Sequence, residues 1–213
     1  MTRIDFYFDV LSPYAWLAFE RLPRALEGVS HVVAYRPVLF AGLLAHWGQK
    51  GPAEIVPKRA WTYRQVAWLA ARQGTALQLP RPHPFNPLAL QRLALACADA
   101  GGTPNRHVVD TLMRHVWCRG GADPNAPDAL AALTVRLQPR RDPQGAEVKA
   151  ELRTLTQAAA AAGVFGVPTL RAEGRDFFGQ DGLEMLAAML HGDAWFDGPA
   201  WDEAGVQPPG VQR

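Results

Sequence analysis

Ser12 stands in DVLSPYAW (9–16), directly after the aromatic run IDFYF and directly before a stretch with helical spacing. Ser followed by Pro fits a helix N-cap with a proline in the first turn. The same junction offers free backbone N–H groups and positive potential, which favour an anion and lower a thiol pKa from its usual value of about 8.5. Ser12 is therefore either a plain cap or a hydroxyl that hydrogen-bonds a bound anion. Asn86–Pro87 and Asp181 carry the same ambiguity, each sitting just ahead of an apolar helical stretch. Lys58 and Arg59 are solvated residues at a helix start or the cations that an anionic carboxylate in a cleft would need, and Lys58 is the preferred candidate.

The cysteines limit the chemistry further. There are two, Cys97 and Cys118, without the close pairing of a metal or redox motif. They read as free thiols in a reducing compartment. Six histidines lack ligand spacing, so no metal is assigned. Trp47, Trp61 and Trp68 cluster in sequence and read mostly as core, with one or two left to wall an aromatic ligand.

The elements that must position these residues follow from periodicity. Residues 3–8 suit a buried strand, 12–28 a helix, and 31–40 a second strand, which makes a β-α-β unit with parallel pairing. From 42 to 162 strand character disappears, and helices are expected at about 57–73, 87–100, 104–118, 126–137 and 145–162. Gly163 suits the end of the last one. VPTLRA and RDFFG then read as strands joined by a Glu173–Gly174 turn, with Asp181 capping a helix to about His191. The expected fold class is α/β: a thioredoxin-like fold formed by 1–40 and 163–213 and interrupted by a large all-helical insertion, 41–162.

A formal charge of +2, with basic residues scattered, argues against a nucleic-acid partner. No apolar run reaches the roughly 20 residues of a membrane helix, and MTRIDFYFDV has no leader pattern. A soluble, cytoplasmic protein is expected.

FYFDVLSPYAWLA (6–18), GQKGPAEIVPKRAW (48–61), PFNPLALQRLALA (84–96), GVFGVPTL (163–170) and FFGQDGLEML (177–186) together resemble the DsbA-like branch of the thioredoxin superfamily. Within it, the chain is similar to kappa-class glutathione transferases and 2-hydroxychromene-2-carboxylate isomerases. Where DsbA-like redox proteins carry Cys-x-x-Cys, this chain has Ser12 and Ala15. A dithiol–disulfide cycle needs two protein sulfurs there, so it is excluded.

The resemblance implies glutathione as cofactor, its sulfur beside the Ser12 hydroxyl. It also implies a cis bond at Val167–Pro168 that turns the Val167 backbone toward the cysteinyl part, and Gln180 and Asp181 at the γ-glutamyl end. Asn86, Lys58 and Gln49 fall at the substrate end. Gln49 stands where relatives often have Asn, Gln65 where they often have Asp, and Trp68 where Arg is frequent. The implied activity is a glutathione-dependent isomerase acting on a small aromatic carboxylate, with a homodimer compatible with the pattern. The alternatives are a kappa-like transferase or peroxidase and a non-catalytic glutathione-binding protein.

Overall fold

The computed structural model describes residues 1–206 and Gly210. The chain opens with β1 (Thr2–Phe8), α1 (Pro13–Ala25) and β2 (His31–Pro37), and β1 and β2 pair in parallel from Thr2↔His31 to Phe8↔Pro37. Six helices follow: α2 (Phe40–His46), α3 (Val56–Gln73), α4 (Leu88–Ala96), α5 (Arg106–Trp117), α6 (Pro127–Leu137) and α7 (Ala146–Ala161). The chain then returns to the sheet as β3 (Thr169–Ala172), β4 (Arg175–Phe178) and α8 (Gly179–Leu190), before a short α9 (Ala200–Gly205). The sheet order is β2-β1-β3-β4, with β3 antiparallel to β1 and to β4. This is the expected thioredoxin-like α/β arrangement, and among the described residues no strand lies between 38 and 168.

Alternation along β1 explains how helices cover both sheet faces. Ile4, Phe6 and Phe8 are fully buried against Trp16 and Phe19 of α1 and apolar residues of α5 and α8, while Tyr7 points to the opposite face and packs with the cluster that α7 supplies. The helical segment packs a small cluster of its own, Leu95 and Ala96 on Val148 and Leu152, and also shares the core of the sheet. Leu90, Val109, Leu112 and Trp117 belong to the same buried cluster as the strands. No helix among the described residues is long and apolar enough to cross a membrane.

Four expectations need correction. The stretch 31–40 is not one strand, because β2 stops at Pro37 and Phe40 begins α2. The freed N–H groups of that helix start find side-chain acceptors: Phe40 N–H donates to Asp9 Oδ2 (2.9 Å) and Leu39 N–H to Thr156 Oγ1 (3.0 Å). Helix α4 ends at Ala96 rather than near 100, since Cys97 caps it and the Gly101–Gly102 pair follows. Asp181 is not an N-cap. Strand β4 runs directly into α8, Phe178 takes the cap position, and Asp181 falls in the first helical turn, where its charge complements the helix dipole. Finally, Trp47, Trp61 and Trp68 are all exposed. Helix α3 buries Val66 and Ala70, and the 3.6-residue period turns Trp61 and Trp68 to its other side. The fully buried tryptophans are Trp16 and Trp117.

Candidate functional site

The turn between β1 and α1 is held from beneath by Asp9. Its side chain is inaccessible to solvent, and its oxygens accept the N–H groups of Leu11 (3.0 Å) and Phe40 (2.9 Å). Burial pushes the carboxyl pKa up from 3.8 to about 6, against the two backbone N–H groups that pull it down. The Ser12 N–H donates to the Asp9 carbonyl at 3.0 Å, so the turn has a fixed shape.

Ser12 is a true N-cap: its Oγ accepts the Ala15 N–H at 3.2 Å, with Pro13 in the first turn. The same hydroxyl donates to the Val167 carbonyl at 3.2 Å. Residues 155 positions apart therefore meet at one point, and the Val167–Pro168 bond between them and β3 is cis, as expected. The β1–β3 ladder begins at Thr169, so the Val167 backbone lies beyond the paired part of the strand.

Ser12 and Val167 form one end of a cavity of about 550 Å³. Its other walls come from the start of α2, the start of α3 and the loop ahead of α4, where Arg59, Tyr63, His83 and Asn86 face in. Asn86 Oδ1 accepts the Leu88 N–H at 3.0 Å, so this residue both starts α4 and borders the cavity. Arg59, Thr62 and Tyr63 lie three and four residues apart, which sets them on one face of α3. Lys58 is one residue, or about 100°, around that helix. It is exposed and does not border the cavity, nor does Gln49.

Gln180 and Asp181 open α8 and do not border the cavity. Gln180 Oε1 accepts from Arg21 Nη1 (3.1 Å) and Gln73 Nε2 (3.0 Å), which ties α8 to α1 and α3. Asp181 is exposed. Burial raises the Tyr14 pKa and the nearby charge of Asp181 adds to the effect, which places Asp181 within electrostatic reach of the α1 N-terminus. The Tyr14 hydroxyl donates to Gln65 at 2.6 Å, so Gln65 has a role in joining α1 to α3.

Asp9, Tyr63 and His83 are the residues that motif-based reasoning passed over as site members. Helical spacing from Arg59 offered a signal for Tyr63. Asp9 and His83 carried none, since each is defined by backbone groups that the fold brings to it. Neither cysteine borders the cavity, and burial pushes the Cys97 thiol up to about 11 and raises Cys118 as well.

A DSBA-like thioredoxin domain model matches residues 3–191. Among curated proteins, the chain is 28% identical over 208 residues to glutathione S-transferase kappa 1 of Rattus norvegicus, covering 90% of this chain and 92% of that one. It is 29% identical over 208 residues to 2-hydroxychromene-2-carboxylate isomerase of Sphingobium xenophagum, covering 89% of this chain and 99% of that one. Among solved structures, a 2-hydroxychromene-2-carboxylate isomerase superimposes with a TM-score of 0.77 over 97% of this chain and all of that one, at 20% identity. At that identity the superposition speaks for the fold.

Proposed function

Because the chain belongs to the DSBA-like thioredoxin domain family, we propose that it is a glutathione-dependent isomerase. Its substrate would be a 2-hydroxychromene-2-carboxylate, interconverted with the ring-opened trans-o-hydroxybenzylidenepyruvate, or a close aromatic analogue. The observation that carries this is the Ser12 hydroxyl, set on the α1 N-terminus and aimed at the Val167 carbonyl at one end of a cavity sized for a small ligand. Isomerases of this name among the relatives of the chain support it.

Bound glutathione would supply a thiolate that adds reversibly to the conjugated carbon, which turns a double bond into a freely rotating single bond. The protein's own part is electrostatic. Ser12 donates a hydrogen bond to the sulfur, and the first-turn N–H groups of α1 add positive potential. The Val167 backbone, outside the strand ladder, is available to pair with an extended peptide. Gln180 and Asp181 are the residues assigned to the γ-glutamyl ammonium, the carboxylate giving it a counter-charge.

At the acceptor end the charge pattern shifts the preference from Lys58 to Arg59. Arg59 borders the cavity and Lys58 does not. A guanidinium binds a carboxylate through two parallel hydrogen bonds, which suits it to orient an aromatic acid. Asn86 also borders the cavity, and Gln49 does not.

The test is to mix the purified protein with either isomer and catalytic glutathione. Interconversion with the glutathione pool intact is the expected result. Glutathione consumed in step with product would favour a kappa-like transferase, the activity named for the rat relative. Absence of both reactions would overturn the assignment.

A further inference from the structure

Tyr63 and His83 border the 550 Å³ cavity and also a neighbouring hollow of about 690 Å³, so they form the partition between the two. The imidazole is packed among aromatic rings, with Trp117 at 5.5 Å and Phe85 at 6.2 Å between centroids. Its two nitrogens have unlike partners. Nε2 lies 3.0 Å from the Leu11 carbonyl, which can only accept, so Nε2 carries a proton. Nδ1 lies 2.8 Å from Tyr63 Oη, and that same Oη lies 3.0 Å from the carbonyl of His83.

This geometry has two complete hydrogen-bond patterns. With a neutral ring, the Tyr63 O–H donates to Nδ1. With a proton on Nδ1, that N–H donates to Oη, and the Tyr63 O–H turns to the His83 carbonyl. No donor loses its partner in either state, so the pair takes up or releases a proton without leaving a donor unsatisfied.

We propose that Tyr63 and His83 form the acid–base relay for the hydroxyl and phenol oxygens of the substrate, a role that rests on the isomerase assignment. In the ring-opening direction the 2-hydroxyl proton passes to Tyr63 Oη as Tyr63's own proton passes to His83 Nδ1. The electron pair of the broken O–H bond completes the keto group. The ring C–O bond breaks, and its pair stays on the phenoxide oxygen. That oxygen then takes a proton from Tyr63 while Nδ1 returns its own, so the relay ends as it began. The Leu11 carbonyl stabilises the transient imidazolium through Nε2–H.

The surroundings suit a base. Burial lowers the His83 pKa, which favours the neutral ring, and the Leu11 carbonyl opposes this. Burial raises the Tyr63 pKa, and the positive charge of Arg59 opposes it. The other ionisable groups bordering this region are Asp9 below the turn, Tyr14 at the start of α1, Glu54 ahead of α3, and Arg81 on the hollow side.

The experiment uses the full chain with glutathione and the chromene acid, in wild type, Tyr63→Phe and His83→Gln. Tyr63→Phe should lower kcat about a hundredfold while KM and the melting shift given by glutathione stay put. His83→Gln should abolish the acid limb of the kcat–pH profile. Nitrogen-15 NMR of labelled histidine gives a readout independent of turnover: His83 should be the Nε2–H tautomer, and its Nδ1 signal should move in Tyr63→Phe. An active wild type whose kcat and pH profile survive Tyr63→Phe would overturn the relay alone. So would an Nδ1–H tautomer or an unmoved Nδ1 signal. An inactive wild type would remove the isomerase assignment and the relay together.

Discussion

Ser12, Val167 and Pro168 sit at the end of β1 and just ahead of β3, two adjacent strands, whereas Arg59, Tyr63 and His83 come from α3 and the loop before α4. The first group is fixed by hydrogen bonds to backbone carbonyls and by strand pairing: the Ser12 N–H to Asp9, the Ser12 hydroxyl to Val167, and the ladder that starts at Thr169. The second leans more on side chains, with Tyr63 on His83 and His83 against Trp117, and its backbone ties are the Leu11 and His83 carbonyls that the imidazole and the phenol reach. A site built on backbone geometry tolerates sequence change around it, and one built on side-chain packing changes with each substitution. The sulfur end would thus stay constant while the acceptor end is retuned, and substitutions at the two ends should separate thiol chemistry from acceptor choice.

The largest effect is expected where the two ends touch. Trp117 is fully buried, its ring lies against His83, and its Nε1–H donates to the Val10 carbonyl at 3.1 Å, two residues before Ser12. Trp117→Ala should lower stability by about 3–5 kcal/mol in urea titration. A loss below about 1 kcal/mol would mean that the ends are mechanically independent.

Asp9 gives the next largest effect and a pH signature. Its folded pKa of about 6 lies above the 3.8 of an unfolded carboxyl, so the folded state holds the proton more tightly. Stability from this group is present below pH 3.8 and is lost as pH rises through the window to about 6. The full swing is about 3 kcal/mol at 1.36 kcal/mol per unit. In Asp9→Asn that slope should vanish, which paired denaturation curves at the two ends of the window would show. A slope that persists in the variant belongs to other groups.

A smaller effect separates neighbours on α3. Arg59→Ala should raise the KM for the aromatic carboxylate roughly tenfold or more, the size of one charged hydrogen bond. Lys58→Ala should leave KM within about twofold, since exposed charges contribute little. The reverse order would return the carboxylate to Lys58 and redraw the cavity wall.

The contrast between the two ends also explains what was legible in the sequence. Ser12–Pro13 and Val167–Pro168 announce themselves because caps and X-Pro bonds are local chemistry, and the strand–helix order around them specifies the thioredoxin core. The start of α2 was hidden because its N–H groups are satisfied by Asp9 and Thr156, residues 31 and 117 positions from their partners. Asp181 looked like a cap because an Asp before an apolar helix is one by default, but β4 enters α8 without a loop. The exposed tryptophans misled for a similar reason. Bulk favours burial on average, yet the face that α3 buries is set by Val66 and Ala70. His83 could not be read at all, since its role depends on a carbonyl 72 residues away.

The proposed role of Ser12 is to hold a thiolate, and the direct measurement is the ultraviolet titration of protein-bound glutathione in wild type and Ser12→Ala. The wild-type thiol pKa should lie below the free value, and in Ser12→Ala it should rise part of the way back, because the α1 N-terminus remains. The isomerase rate should fall roughly ten- to a hundredfold, as expected for one charged hydrogen bond of about 1.5–3 kcal/mol. Loss of the cap alone would lower stability by about 1 kcal/mol and leave the titration where it was. A Ser12→Ala protein with an unmoved thiol pKa and an unchanged rate would contradict the account, and Ser12 would be the residue that starts α1 and nothing more.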